Sequence, residues 1–304
     1  MDKLQVPEMN EAAYAEARKL LSEQLKKDEA VIAALRERNI PLQEIELHPF
    51  RISRWLEEKK KCLGCKGLTS CTQRQKGYAE ELYFDGILQT GLEACGYLQK
   101  KNKAEAHLGQ YLICDLPPEM HTVSFAGIDP SKENGRYVSA LMEVMRACDG
   151  REGIYLYGNM GTGKTYLAAC AANSFARQGL SVAFVHCPKM VERILSGYKT
   201  NEHLTEISRL GYADVAVFDD IGAEDVTDRV RSILLSILDE RMQNHRITWF
   251  TSNEDHASLL EHYTSTSRGD DVTEAKRILE RIRTLARPVS LIGKDRRILY
   301  STED

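Results

Sequence analysis

The chain has 304 residues, of which 42% are apolar and 28% charged, and 41 basic against 45 acidic residues give it a net charge of −4. That composition is of a folded globular protein with one large or two smaller domains, and it excludes a disordered, collagen-like or membrane-spanning chain. The slightly acidic balance also excludes nucleic-acid binding through the global field, leaving only local patches for such contact.

The first residues, "MDKLQVPEMNEAAYAEARKLL", are charged throughout and carry no apolar core of a signal peptide. No apolar run approaches the roughly 18 residues that a bilayer crossing needs. The expected location is therefore cytoplasmic, where thiols stay reduced and clustered cysteines point to metal rather than disulfides. Residues 8–38 are predicted as helix from Tyr14, Ala17, Leu20, Leu21 and Leu25 at three- and four-residue steps, closed by Pro41. A second helix is predicted over residues 49–61, with Trp55 and Leu56.

The stretch "KCLGCKGLTSC" comes next, placing Cys62, Cys65 and Cys71 within ten residues. A Cys-x₂-Cys turn brings two sulfurs onto one ion and Cys71 adds a third. No histidine lies between His48 and His107, so Cys95 is the best fourth ligand for tetrahedral, structural zinc. "ELYFDGILQTGLEACGYL" reads as a small β element, and "ICDLPPEMHTVSFAGIDPSKENG" as a Pro- and Gly-punctuated connector. These breaks suggest a zinc-binding domain over residues 1–102, a linker over 103–135 and a second domain over 136–304.

Beyond the connector the pattern changes. A helix over residues 136–147 precedes "GIYLYG", then come an Ala-rich helix, "SVAFVH", helical material to Arg209, "DVAVFDD", a helix near residues 226–244 and "ITWFTSN". Apolar strands alternating with helices at this spacing predict an α/β domain with a parallel sheet covered on both faces.

Gly158-Asn159-Met160-Gly161-Thr162-Gly163-Lys164-Thr165 fits G-x-x-x-x-G-K-[ST] in full, after a strand and opening a helix. Glycines at these positions let backbone N–H groups curl around a phosphate, to which the helix N-terminus adds partial positive charge. Lys164 would reach the β- and γ-phosphates of a nucleoside triphosphate, and the Thr165 hydroxyl would bind Mg²⁺. Asp219, ending "VAVFD", is the expected magnesium-associated carboxylate, because the tip of a parallel strand points into the ligand crevice. Asp220 is the candidate to orient and deprotonate the attacking water. Asn253, at the end of "ITWFTSN", is a candidate to hold that water or contact the γ-phosphate.

With these elements in order, the C-terminal two-thirds resembles an AAA+ ATPase. "GNMGTGKT" resembles the family's Walker A motif, "VAVFDD" its Walker B and Asn253 its sensor 1. The wording of "YGNMGTGKTYLAAC", "VFDDIGAE" and "SFAGID" is similar to the DnaC/DnaI helicase-loader group, and the cysteine cluster ahead of the ATPase to its Gram-positive DnaI branch. The resemblance implies a core without a helical lid, and only 18 residues follow Ala286. It also implies ATP and ADP as ligands, a hexameric replicative helicase, single-stranded DNA and other primosome proteins as partners, and a self-assembled ring or spiral. An arginine from a neighbouring subunit would complete each site. Arg281 in "ERI" fits best, with Arg277 and Arg283 as rivals. One departure is Asp-Asp where most of the family has Asp-Glu, which sets the carboxylate of Asp220 farther from the water and implies slow, partner-stimulated hydrolysis.

Residues 51–76 carry eight basic against two acidic side chains, a patch for DNA or an acidic partner or simply a solvated surface. In "MVERILSGYKT" the resemblance places Arg193 and Lys199 near single-stranded DNA. Two other readings compete: an IstB-like transposition helper ATPase, against which the cysteines argue, and a zinc-bearing adaptor that binds ATP without hydrolysing it. A nucleotide kinase with a cysteine-zinc lid is disfavoured because its cysteines would come after the phosphate loop.

Overall fold

Asp28 breaks what the sequence predicts as one long helix. In the computed structural model, which describes residues 11–197, 201–266 and 269–296, helix α1 (Glu11–Lys27) ends there and α2 (Glu29–Glu37) begins. The Asp28 carboxylate accepts from the N–H groups of Ala30 and Val31, satisfying donors that the first turn of a helix leaves open. Helices α3 (Glu44–Leu47) and α4 (Pro49–Lys60) come next, the latter opened by a proline at its first position. After the cysteine segment, β1 (Tyr78–Phe84) and β2 (Leu88–Ala94) pair antiparallel, and α5 (Gly96–Glu105) closes this part of the chain. The chain divides into two units between Ala104 and Glu105.

The first unit has its own core of Leu25, Val31, Leu35, Ile40, Ile45, Ile52, Trp55, Leu82 and Leu88. Over Trp55 lie the Arg38 guanidinium, 5.0 Å from the ring centroid, and the Lys59 ammonium at 5.5 Å. Both cations pair with Glu81 on β1, Arg38 Nε at 3.1 Å, tying two helices to the hairpin. Burial raises the pKa of Glu81, but hydrogen bonds from Lys59 and Arg38 outweigh it and hold the carboxyl below its ordinary value. A carboxylate lowered in the folded state stabilises fully above the unfolded pKa, and that contribution is lost as pH falls through the folded value. Amide-exchange protection of β1 in the full chain is therefore expected to fall as pH drops below the ordinary glutamate value and through the lowered value of Glu81. Glu81→Gln should lower protection at pH 7 and remove this dependence; equal slopes in the two proteins would refute it.

Four of the basic residues between 51 and 76 are engaged within this unit. Arg54 pairs with Glu80 at 3.7 Å, Lys59 with Glu81 and Lys61 with Glu58 at 2.6 Å, while Arg51 donates to the Leu88 carbonyl. The segment is thus less of a free cationic patch than its composition suggests.

The second unit is a six-stranded sheet, every neighbouring pair of which is parallel. Its elements are β3 (Tyr111–Cys114), α6 (Gly135–Gly150), β4 (Ile154–Tyr157), α7 (Lys164–Arg177), β5 (Val182–His186), α8 (Cys187–Ser196), α9 (Glu202–Tyr212), β6 (Val215–Asp219), α10 (Asp228–Gln243), β7 (Ile247–Ser252), α11 (His256–Thr264), the short pair β8 (Ser265–Thr266) and β9 (Gly269–Asp270), α12 (Val272–Leu285) and β10 (Arg287–Ser290). The spatial order is β10-β4-β7-β6-β5-β3. One face packs on α6 and α7, the other on α8 to α12. Val215 to Asp219 are all buried, as a central parallel strand requires. The arrangement is that of a P-loop AAA+ core.

The expected linker over residues 103–135 is corrected by this topology. Tyr111–Cys114 is an edge strand of the sheet. The chain just beyond it is fastened to α7 by a buried amide, that of Asn173. Asn173 Nδ2 donates to the carbonyls of Met120 and Val123, both at 3.0 Å, and its Oδ1 accepts from Tyr111 Oη at 2.8 Å. Among the described residues no helix is long and apolar enough to cross a membrane.

Candidate functional site

Strands β4, β6 and β7 are neighbours, so their C-terminal tips and the loop after β4 meet at one edge of the sheet. The loop turns through Gly161 and Gly163, with φ of +76° and +97°, left-handed values that a side chain resists. Helix α7 starts at Lys164, whose Nζ is nearly buried and donates to the carbonyls of Gly158 (2.8 Å) and Asn159 (2.9 Å) and to Asn253 Oδ1 (2.7 Å). Thr162 Oγ1 donates to Asn159 O, bracing the turn (2.9 Å). Met160 is 60% exposed at the loop's crest, so it contributes backbone rather than packing.

Thr165 Oγ1 donates to Asp219 Oδ1 at 2.9 Å, and Thr251 Oγ1 donates to the same oxygen at 2.7 Å. Burial raises the pKa of Asp219, more than these two hydrogen bonds lower it. A buried carboxylate served by two hydroxyls is a fitting place for a divalent cation, with Thr165 and Asp219 to hold it. The cation would supply charge neutralisation for the phosphates.

Asp220 lies one residue on, in a left-handed conformation (φ 59°) that turns its side chain out of the strand direction. Its N–H donates to Thr251 Oγ1 (2.9 Å), its Oδ1 accepts from Asn253 Nδ2 (3.0 Å), and its Oδ2 lies 3.9 Å from His186 Nε2. His186 ends β5 in register with Asp219, and its Nδ1 is buried with no hydrogen-bond partner among the described residues. A cavity of about 910 Å³ is lined by Lys164, Thr165, His186, Asp219, Asp220, Thr251 and Asn253 among others. The predicted phosphate loop, Asp219, Asp220 and Asn253 are thus brought together; His186 and Thr251 are added to them.

Residues 111–302 match the family model described as IstB-like ATP binding protein. The chain belongs to that family. This IstB-like ATPase is 27% identical over 286 residues to the replicative helicase loader DnaI of Bacillus subtilis, an alignment covering 91% of this chain and 92% of the relative. It is 28% identical to the putative ATP-binding protein of insertion sequence IS1162 from Pseudomonas fluorescens, over 30% of this chain and 39% of that one. A crystal structure of DnaI superposes with a TM-score of 0.54 and 30% identity, covering 63% of this chain and 99% of that one.

Other predicted residues fall elsewhere. Arg281 is outside the cavity lining, with Nε on Asp239 Oδ1 (2.6 Å) and Nη1 near Glu280 (3.2 Å). Arg277 pairs with Glu274 at 3.5 Å, and Arg283 Nε donates to His256 Nδ1 at 3.4 Å. Arg193, expected at DNA, is instead gripped by carboxylates: its Nη1 and Nη2 meet Asp115 at 3.1 and 3.0 Å, and its Nε meets Glu206 at 2.9 Å. A guanidinium held by two acids is a brace between β3, α8 and α9 rather than a free phosphate ligand. Lys199 lies outside the described residues.

Among the described residues no group of three or more His, Cys, Asp or Glu side chains stands close enough to hold a metal. Cys62, Cys65, Cys71 and Cys95, expected as a zinc shell, are not grouped as a metal site, although the four line one cavity of about 330 Å³. Cys71 Sγ accepts from the Gly77 N–H at 3.4 Å, and backbone donors from Gly77 and then Gln73 hold its thiol below the ordinary pKa. Gln73 Nε2 donates to Cys62 Sγ at 3.3 Å. Donors aimed at sulfur favour the thiolate, so the residues fit a soft cation.

Proposed function

We propose that this ATPase is a loader of the replicative DNA helicase, placing it on single-stranded DNA during primosome assembly in the cytoplasm. What carries the reading is the extent of the likeness to the Bacillus subtilis loader, which runs through both units rather than the ATPase core alone. Two insertion-sequence ATP-binding proteins match over 30% and 48% of the chain, so the transposition-helper reading is supported over less than half of it. On this view the first unit grips the helicase, and the second, from Glu105 on, binds ATP and assembles into a ring or spiral with Arg281 reaching a neighbour's nucleotide. Hydrolysis then releases the loader: Asp220 takes a proton from water as its oxygen bonds the γ-phosphorus and the bridge to the β-phosphate breaks.

Co-purification of the full chain with the replicative helicase of its host tests this. The expected result is a complex that persists with ATP and dissociates with ADP. Failure to bind the helicase in either state, or binding to a transposase instead, would overturn it.

The cysteine cavity completes the proposal as a structural zinc site. Chain purified under reducing conditions should contain about one zinc per molecule, and a chelator should release it with loss of folded first unit. Cys65→Ser should lower that content severalfold. A zinc content near zero in the unmodified protein would remove the metal from the account.

A further inference from the structure

The residues after β10 stay at the nucleotide site. Leu291 N donates to Tyr157 O at 2.7 Å, and a Cβ on Gly158 would lie 2.4 Å from Leu291 O, so the tail packs directly on the start of the phosphate loop. Arg296 N donates to Gly161 O at 2.9 Å and its Nε to Thr162 O at 3.2 Å. The Arg296 guanidinium sits 4.4 Å from the centroid of the Tyr137 ring, and Nη2 pairs with Glu133 at 2.8 Å. Tyr137 is buried, and the Glu133 side chain is only 11% exposed.

Glu133, Tyr137 and Arg296 line the same cavity as Lys164 and Asp219. The γ-phosphate end of that cavity is marked by the tips of β6 and β7, and among the described residues none of the hydrogen-bond or ring partners named for Arg296 comes from either tip. Its neighbours are instead the loop ahead of Lys164, Glu133 and helix α6, and the same cavity is lined by Ile128, Met120 and Tyr166, apolar surfaces suited to a flat base. Among the described residues no helix comes after α12.

We propose that residues 291–296 form the nucleoside-side wall of the ATP pocket, and that Arg296, stacked on Tyr137 and braced by Glu133, binds the sugar hydroxyls of the nucleotide. The inference rests on the ATP-binding reading of the site. A guanidinium already fixed by a ring and a carboxylate loses little freedom when ligand arrives, so its remaining N–H donors are presented to the sugar at small entropic cost.

The test uses the full chain, with magnesium-ADP and magnesium-ATP measured by calorimetry and inorganic tripolyphosphate measured as a competitor of ADP. Arg296→Ala is expected to weaken ADP and ATP to a similar degree, about tenfold, and to leave tripolyphosphate competition unchanged, with the melting temperature lowered by no more than about a few degrees. Arg296→Lys keeps the charge and the backbone bond to Gly161, and should recover part of the loss. A loss confined to ATP would make Arg296 a reader of the γ-phosphate and overturn the proposal. An equal loss for tripolyphosphate would reduce it to a prop for the loop, and unchanged affinity would remove it. Absence of ADP binding by the unmodified chain would instead overturn the nucleotide reading beneath it.

Discussion

Lys164→Ala is expected to weaken magnesium-ATP binding by at least about a hundredfold, because it removes charge-assisted hydrogen bonds to phosphate that contribute about 1.5–3 kcal/mol each. The ammonium is already placed for that task, held over the loop by the carbonyls of Gly158 and Asn159. Those carbonyls lose a donor in the variant, at a cost of about 1–3 kcal/mol where water cannot replace it. The rest of α7 is anchored independently by Leu167, Ala168, Ala171, Ala172 and Phe175, all fully buried, so the variant should remain folded. Calorimetry with ATP, alongside a circular-dichroism melt, checks both halves of the expectation. Binding at unchanged affinity in a folded variant would sink the phosphate-loop assignment.

Asp220→Asn should separate binding from turnover. Loss of a general base typically lowers rate by about 10²–10⁴-fold, while ATP affinity should stay within a few-fold of the parent. The substitution suits the position. Asparagine tolerates the left-handed backbone found here nearly as well as aspartate does, and its amide oxygen can still accept from Asn253 Nδ2. What it cannot do is take up a proton from water. Single-turnover phosphate release, with and without single-stranded DNA and helicase, is the measurement. Turnover equal to that of the parent would free Asp220 from the role and move attention to His186, which faces the same carboxylate from β5.

The chemistry that a local run of residues imposes was legible from the chain alone. The glycine spacing before Lys164, the apolar run ending in Asp219 and Asp220, and the strand leading to Asn253 each state their geometry within a few residues. What escaped was set by distant contacts. Tyr111–Cys114 and Arg287–Ser290 are edge strands of four residues with exposed faces, too short and too mixed for a period-two pattern to stand out. Arg193 reads as a surface base until β3 brings Asp115 beside it, 78 residues away. His186, Thr251 and Arg296 acquire meaning only when the sheet places them around one cavity, although two sit at or near strand ends where such residues belong. Asp28 is a capping residue inside a long apolar period, so the period alone runs the two helices together.

Lys164, Asn253 and Asp220 form a relay with consequences for timing. One face of the Asn253 carboxamide accepts from the ammonium and the other donates to the carboxylate, so the three side chains are set as one piece. An incoming phosphate competes for that ammonium, releasing the amide oxygen and with it the torsional lock on the carboxylate. Arrival of the triphosphate would thus free the Asp220 carboxylate to turn within the cavity that it lines.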